Sequence, residues 1–343
     1  MQHRAILTLC LILFWGARTL AWEVSLHNNI EYVKASEIQS FYAFDSLKNN
    51  SNGFELTKGQ LRLRFEANSH TFYLDGVKHV LIRPVLASNA TAFVSKEDLI
   101  YLIDPILRPH YVTKNQLFDT IIIDPGHGGK DPGTMCPYGT EAELNLVVAL
   151  KLETKLRKIF SRDLKILLTR NANETVSLKE RAALAIAHPK SIVISIHGNG
   201  LGGSGANVTH GLESFIMSPL GVSGYGQTTL KPEAKTLQPG NTYNALNAVF
   251  GASIHHALIE QLHPKDRGLK RARFALVQAV PVPSVLIEQG FLSHPEEARK
   301  LFTPSYQNKI AEAICQGVTR YYNLTRFNGE SQELREKADE ATF

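Results

Sequence analysis

Cysteine is scarce, with three residues in 343, and Cys10 sits in an apolar run at the extreme N-terminus, which leaves Cys136 and Cys315. Two thiols are too few for a disulfide-stapled scaffold or a cysteine-closed structural zinc site. They lie far apart in sequence, so spacing alone sets no pairing between them. Long hydrophobic runs are also missing: beyond residues 5–16, no apolar segment approaches the roughly 20 residues that span a bilayer. Basic residues are not gathered into a dense patch, which excludes a nucleic-acid surface as the main business of the chain. There is no Gly-x-Ser-x-Gly elbow of an α/β-hydrolase, and no Ser-x-x-Lys of a penicillin-binding serine enzyme.

What is present begins with a leader. A basic Met1-Gln2-His3-Arg4 start, an apolar stretch over residues 5–16, and small residues at Thr19 and Ala21 read as a secretory signal peptide cut after Ala21. The expectation is an exported protein of the periplasm or cell envelope, with no membrane span once the leader is gone. Losing residues 1–21 removes two arginines and no acid, so the formal charge falls from +5 to +3. Mild basicity of that order suits an anionic polymer.

Residues 22–115 carry short alternating segments around 55–56, 60–65, 71–74 and 79–83. Asp75-Gly76 sits between two of them as a hairpin turn, and a short helix runs from Ser95 through Leu102. This is the pattern of a small accessory α+β domain, bounded by Pro105, Pro109 and a polar turn at 113–115. From residue 116 to 325 strands alternate with helices. Strands are expected at 120–123, 164–169, 191–196, 211–217, 275–277 and 284–288. Helices are expected at Glu141–Ile159, from Ser177 to before Pro189, and over 245–261, 295–302 and 305–322. The fold class is therefore α/β, a twisted, mostly parallel central sheet flanked by helices. Residues 218–243, rich in Gly, Ser, Thr and Pro, read as a loop, and 326–343 as a charged, disordered tail.

Two buried strands end on histidine: Ile121-Ile122-Ile123 leads to His127 in Asp124-Pro125-Gly126-His127-Gly128-Gly129, and 191–196 leads directly to His197. In a parallel sheet both imidazoles reach the same edge, where α/β folds place their sites. Glu141, with Glu143 as a competitor, opens the helix between them. A third strand, Val285-Leu286-Ile287, ends on Glu288, and a glutamate after three core aliphatics is costly to bury unless paired or beside a metal. His, Glu and His with a fourth position open is the donor pattern of a catalytic zinc. Glu288 then stands as general base. Asp124 and Asp131 are candidates to orient His127 or to shape its loop, and Arg267 and Asn199 to touch substrate carboxylates or carbonyls. Arg170 and Arg181 read as structural ion-pair formers, and His210, His255, His256 and His294 as surface or packing residues.

The stretches DPGHGGKDPG, TEAELNLVVALKL, LLTR followed by SLKERAALA, SIHGNG, GLESF, DRGLKRARFALV and PSVLIEQGFLSHPEE match in order and spacing a known family. The chain resembles the zinc-dependent N-acetylmuramoyl-L-alanine amidases of the amidase-3 type. The resemblance implies that His127, Glu141 and His197 hold Zn2+ and that Glu288, in the Glu-x-Gly-Phe motif, is catalytic. It favours Glu141 over Glu143 as ligand. It implies cleavage of the amide between the lactyl group of N-acetylmuramic acid and L-alanine in peptidoglycan, in wall remodelling or cell separation. The small N-terminal module, which resembles the copper amine oxidase N-terminal-like domain in pattern, is a candidate contact for division or envelope proteins. Some relatives carry an inhibitory helix near the site; residues 218–243, broken by Pro219, Pro232 and Pro239, are expected to form none.

Overall fold

The computed structural model describes residues 22–88, 91–113, 116–160 and 164–326; the expected leader and most of the charged tail lie outside them. The centre is a run of six strands in the order Lys165–Leu168, Thr120–Pro125, Ser191–Asn199, Ser284–Phe291, Leu212–Met217, Asp266–Ala272. The pairings are parallel except between Leu212–Met217 and Ser284–Phe291, which run antiparallel. Side chains alternate across this sheet, and both faces are covered. Ile121 and Ile123 join a core with Leu144, Val148, Leu152 and Leu156 of the Glu141–Ile159 helix. Ile122 and Val193 face the opposite way, onto Ala182, Ala185 and Leu276. Val147 and Ile159 of the same helix lie off this stripe and are exposed.

Two elements differ from the expectation. Residues 275–277 were expected to be a strand, but Ala275–Ala279 is a short helix, with Phe274 at its N-cap and Leu276 and Val277 buried. An apolar run of three residues cannot decide between the two by pattern. The strand is supplied instead by Asp266–Ala272, whose Lys270 and Arg271 are both buried. These charges are tolerated because each meets a buried carboxylate, Glu213 for Lys270 and Asp98 for Arg271. A strand whose inward residues are paired charges carries no alternating apolar signal.

The N-terminal region forms a four-stranded sheet (Val24–His27, Ile30–Lys34, Ala92–Ser95, Leu86–Ala87) and a five-stranded antiparallel meander over Ser46–Asn50, Gly53–Lys58, Leu61–Glu66, Thr71–Leu74 and Val77–Val80. The expected Asp75-Gly76 turn joins the last two strands with positive φ at both residues, 49° and 85°. The meander continues the central sheet: Val77–Val80 lies parallel to Asp266–Ala272, with His79 opposite Leu269, giving eleven strands in one sheet. Asp98 fastens the seam, accepting from the Ile82 and Arg83 N–H groups and the Ser95 hydroxyl while facing Arg271. The helix begun after Ser95 does not stop at Leu102. It winds as a π-helix over Leu99–Ile103, then continues through Asp104–Leu107 and Pro109–Thr113. Pro105 falls in the first turn of the new segment, where no N–H is required.

His79 is fully buried at this seam, its ring stacked on Phe72 at 4.8 Å and facing His256 at 5.2 Å, with Nδ1 donating to the Val77 carbonyl at 3.0 Å. Burial, reinforced by the neighbouring His255, lowers its pKa to about 3. Between about 3 and the ordinary histidine value the unfolded chain binds a proton here that the folded chain refuses, so this contribution to stability is lost as pH falls. Urea unfolding at pH 7.5 and pH 5 should therefore show a drop in stability on acidification that is smaller in His79→Phe. An unchanged drop would remove His79 from the acid response.

Candidate metal centre

The Thr120–Pro125 strand ends in a loop that two arginines fasten by its carbonyl oxygens. Arg170, 2% exposed, donates Nε to Pro125 at 3.0 Å and Nη2 to Gly126 and Ala142 at 2.9 Å each. Arg181 donates Nη1 to Pro125 and Nη2 to His127, both at 2.7 Å. The loop is thus tied to the helix that starts at Glu141. His127 is held at φ 60°, a left-handed conformation that costs energy in a non-glycine residue and persists where its surroundings over-determine it.

Of the two arginines only Arg181 is the ion-pair former expected, meeting Asp124 at 2.7 Å; Arg170 is a carbonyl clamp. Of the two roles expected for it, Asp124 takes the second: it does not touch the His127 ring but holds the Arg181 that clamps the loop carbonyls. It shares the face of Ile122 and turns to Arg181, Thr169 and Ser195, away from the imidazole. Asp131 does reach the ring: His127 Nδ1 donates to Oδ2 at 2.8 Å.

Glu143 caps its helix, accepting from the Thr140 N–H at 2.8 Å while the Thr140 hydroxyl accepts from the Glu143 N–H. The cap leaves Glu141, 4% exposed, pointing back at the sheet edge. Its Oε2 accepts from the Thr134 N–H at 3.0 Å and its Oε1 from the Gly198 N–H at 3.1 Å. His127 Nε2 and His197 Nδ1 both converge on Oε1, at 2.9 and 3.0 Å. Gly126 permits this approach, because a Cβ there would lie 2.2–2.6 Å from the His197 ring.

Protonation states follow from these contacts. The hydrogen bond to Glu141, partly opposed by burial and aided by Asp131, raises His127 to about 9. Burial pushes the Glu141 carboxyl up, but hydrogen bonds from His127 and His197 outweigh it and hold it well below the usual carboxylate range. His127, Glu141 and His197 each offer a ligand atom within 4.8 Å of the others, the only such trio among the described residues. Two imidazole nitrogens and a carboxylate suit zinc or a similar divalent transition metal.

Glu288 lies beside this trio, its Cα paired with that of His197 on one side and of Glu213 on the other. Its Oε2 is sealed from solvent and has no hydrogen-bond partner. Burial, then the charges of Glu141 and Glu213, push its carboxyl well above the ordinary range. An unpartnered buried carboxyl oxygen is a rare and costly feature, and here it stands on the strand beside His197 of the trio.

Sequence reading missed Glu213 and Lys270 as members of this neighbourhood. Glu213, buried, accepts from Lys270, from Arg267 Nε at 2.9 Å and from Asn199 Nδ2 at 2.7 Å. A glutamate within the buried Leu212–Met217 strand signals a paired carboxylate, but not which strand it is set against. Asn199 and Arg267 are therefore tied first to Glu213. His255 bonds Ser214 and Asp266 at 3.0 Å each, and His294 caps the Pro295–Leu301 helix, which are packing roles as expected. Cys136 and Cys315 are both free thiols. Residues 218–243 contain two short 3-10 turns, Pro232–Lys235 and Pro239–Tyr243, and no α-helix.

Known proteins are similar to this chain. An uncharacterised cell wall amidase of Bacillus anthracis is 33% identical over 217 residues, covering 61% of this chain and 36% of that protein. The sporulation-specific N-acetylmuramoyl-L-alanine amidase of Bacillus subtilis is 31% identical over 206 residues, covering 60% and 69%. The chain thus spans about a third of the first relative and two thirds of the second. The crystal structure of N-acetylmuramoyl-L-alanine amidase from Clostridium difficile 630 aligns with a TM-score of 0.49 and 30% identity, covering 60% of this chain and 97% of that one. The family signature described as N-acetylmuramoyl-L-alanine amidase matches residues 121–320, more than half of the sequence, and the chain belongs to that Amidase_3 family.

Proposed function

We propose that this protein hydrolyses the amide between the lactyl group of N-acetylmuramic acid and L-alanine of the peptidoglycan stem peptide, using zinc held by His127, Glu141 and His197. The observation that carries the reading is the convergence of those three ligand atoms beside an unpartnered Glu288 carboxyl. At such a site zinc supplies Lewis acidity toward a carbonyl oxygen and acidifies water. Asp131 fixes the His127 ring from its far side, and the Gly198 and Thr134 N–H groups fix Glu141, so the donors are set before substrate arrives. Glu288 takes the proton of the attacking water and returns it to the alanine nitrogen as the C–N bond breaks, leaving a lactyl carboxylate and a free amine. A carboxyl whose surroundings raise its proton affinity is suited to both halves of that transfer.

Action on the wall agrees with the expected leader and with a basic exported chain, and no described helix is long and apolar enough to cross a membrane. The N-terminal meander shares its sheet with the strands of the site, so an envelope partner bound there would be held in fixed geometry relative to it.

Mass spectrometry of products from residues 22–343 on a muropeptide should show intact stem peptide released, with activity lost to chelator. Glu288→Ala should bind zinc normally and lose about 100- to 10,000-fold in kcat. A peptide trimmed elsewhere while its bond to muramic acid survives would mean a zinc peptidase instead.

Metal analysis separates the two helix-start glutamates. Glu141→Ala should abolish stoichiometric zinc, whereas Glu143→Ala should retain it and cost roughly 1 kcal/mol of stability through the lost cap.

Because residues 218–243 form no helix, the purified chain should be active without a partner, and deleting that loop should not raise its rate. A rate rescued by the deletion would indicate autoinhibition.

A further inference from the structure

The line of polar groups at the sheet edge does not end with Glu288. His197 and Glu288 are paired in the parallel register, and Glu288 and Glu213 in the antiparallel one. Residues directly opposite one another project from the same side of the sheet. Beyond Glu213 come Lys270 and Arg267, both bonded to its Oε2. One buried carboxylate thus meets two cations, and the cluster carries an excess positive charge.

The two cations are not equivalent. Lys270 is 2% exposed, covered by the Tyr225 ring at 4.1 Å, and its charge is spent on Glu213. Arg267 commits Nε to Glu213 and lies over the Phe291 ring at 4.9 Å, yet 26% of its side chain stays open to solvent. Its plane is fixed from two directions while part of the fork remains accessible. A pre-oriented guanidinium is the group that binds a carboxylate by two parallel hydrogen bonds.

Reach agrees with this use. Glu213 is paired with Glu288 on the neighbouring strand, about 4.8 Å away in the sheet, and Arg267 Nε lies 2.9 Å from the Glu213 carboxylate. An extended peptide advances about 3.5 Å per residue. A group one or two residues beyond the scissile amide therefore falls beside Arg267. We infer that Arg267, aimed by Glu213 and Phe291, is a specificity-determining subsite for a carboxylate on the peptide side of the bond that is cut. The inference rests on the amidase reading and adds to it which stem peptides are preferred.

The test compares N-acetylmuramoyl-L-alanyl-D-glutamine with N-acetylmuramoyl-L-alanyl-D-glutamine amide, which differ only in the α-carboxylate against a carboxamide, the γ-carboxyl being amidated in both so that no second peptide carboxylate is present. The zinc-loaded chain should favour the acid by about 10- to 100-fold in kcat/KM, the range of a charge-assisted pair, with the difference mainly in KM. Arg267→Met should lose that factor on the acid alone and bring the ratio near one. Arg267→Lys, which keeps the charge and the pairing with Glu213, should fall between. Equal rates of the unmodified chain on both substrates would overturn the subsite and leave the amidase reading standing. So would equal losses in Arg267→Met on both substrates with zinc content and Tm unchanged. Dipeptide release from neither substrate would overturn the amidase reading and the subsite with it, and needs no variant to be seen.

Discussion

The candidate metal centre depends on how two buried guanidinium groups hold the end of one strand. The carbonyl oxygens of Pro125, Gly126 and His127 point at Arg170 and Arg181, which arrive from the segment after Lys165–Leu168 and from the Leu178–Ala187 helix. Buried polar groups on both sides of this contact would be costly alone, and each satisfies the other. The same Arg170 reaches the Ala142 carbonyl, so the loop bearing one imidazole and the helix bearing Glu141 are fixed to each other. The Thr134 and Gly198 N–H groups on Glu141 and the pairing of the two histidine-bearing strands complete the frame.

The second organising feature is the antiparallel strand in an otherwise parallel half-sheet. Because Leu212–Met217 runs opposite to Ser284–Phe291, its beginning, not its end, lies at the active edge, which brings Glu213 opposite Glu288. Two carboxylates side by side would repel. Lys270 and Arg267 neutralise one of them, and the other is left unpartnered and proton-hungry. One charge pattern thus buries a glutamate in the sheet and leaves its neighbour without a partner, as the proposed proton transfer requires.

The accessory region is part of the same frame. Its meander hydrogen-bonds edge to edge with Asp266–Ala272, and buried pairs such as Arg271–Asp98 cross the seam. Lys270 and Arg271 point to opposite faces of this strand, one to the cluster beside the site and the other to the N-terminal module. The strand therefore connects the two regions through consecutive residues.

By itself the sequence determined the alternation of strands and helices, the strand ends at His127, His197 and Glu288, the capping boxes, and the Asp75-Gly76 hairpin. These are signals carried by neighbours in the chain: β-branched runs, Gly and Pro punctuation, and a serine or threonine three residues before a glutamate. Tertiary structure alone decided the rest. Asp266–Ala272 is a strand because its charges find buried partners far away in sequence, and 275–279 is a helix because its short apolar run packs as one. Asp131 and not Asp124 meets His127, since the alternation of the strand sends Asp124 to the other face. Glu213 belongs to the site only through an antiparallel register that no local pattern encodes, because pairing between distant strands depends on which surfaces can be buried together.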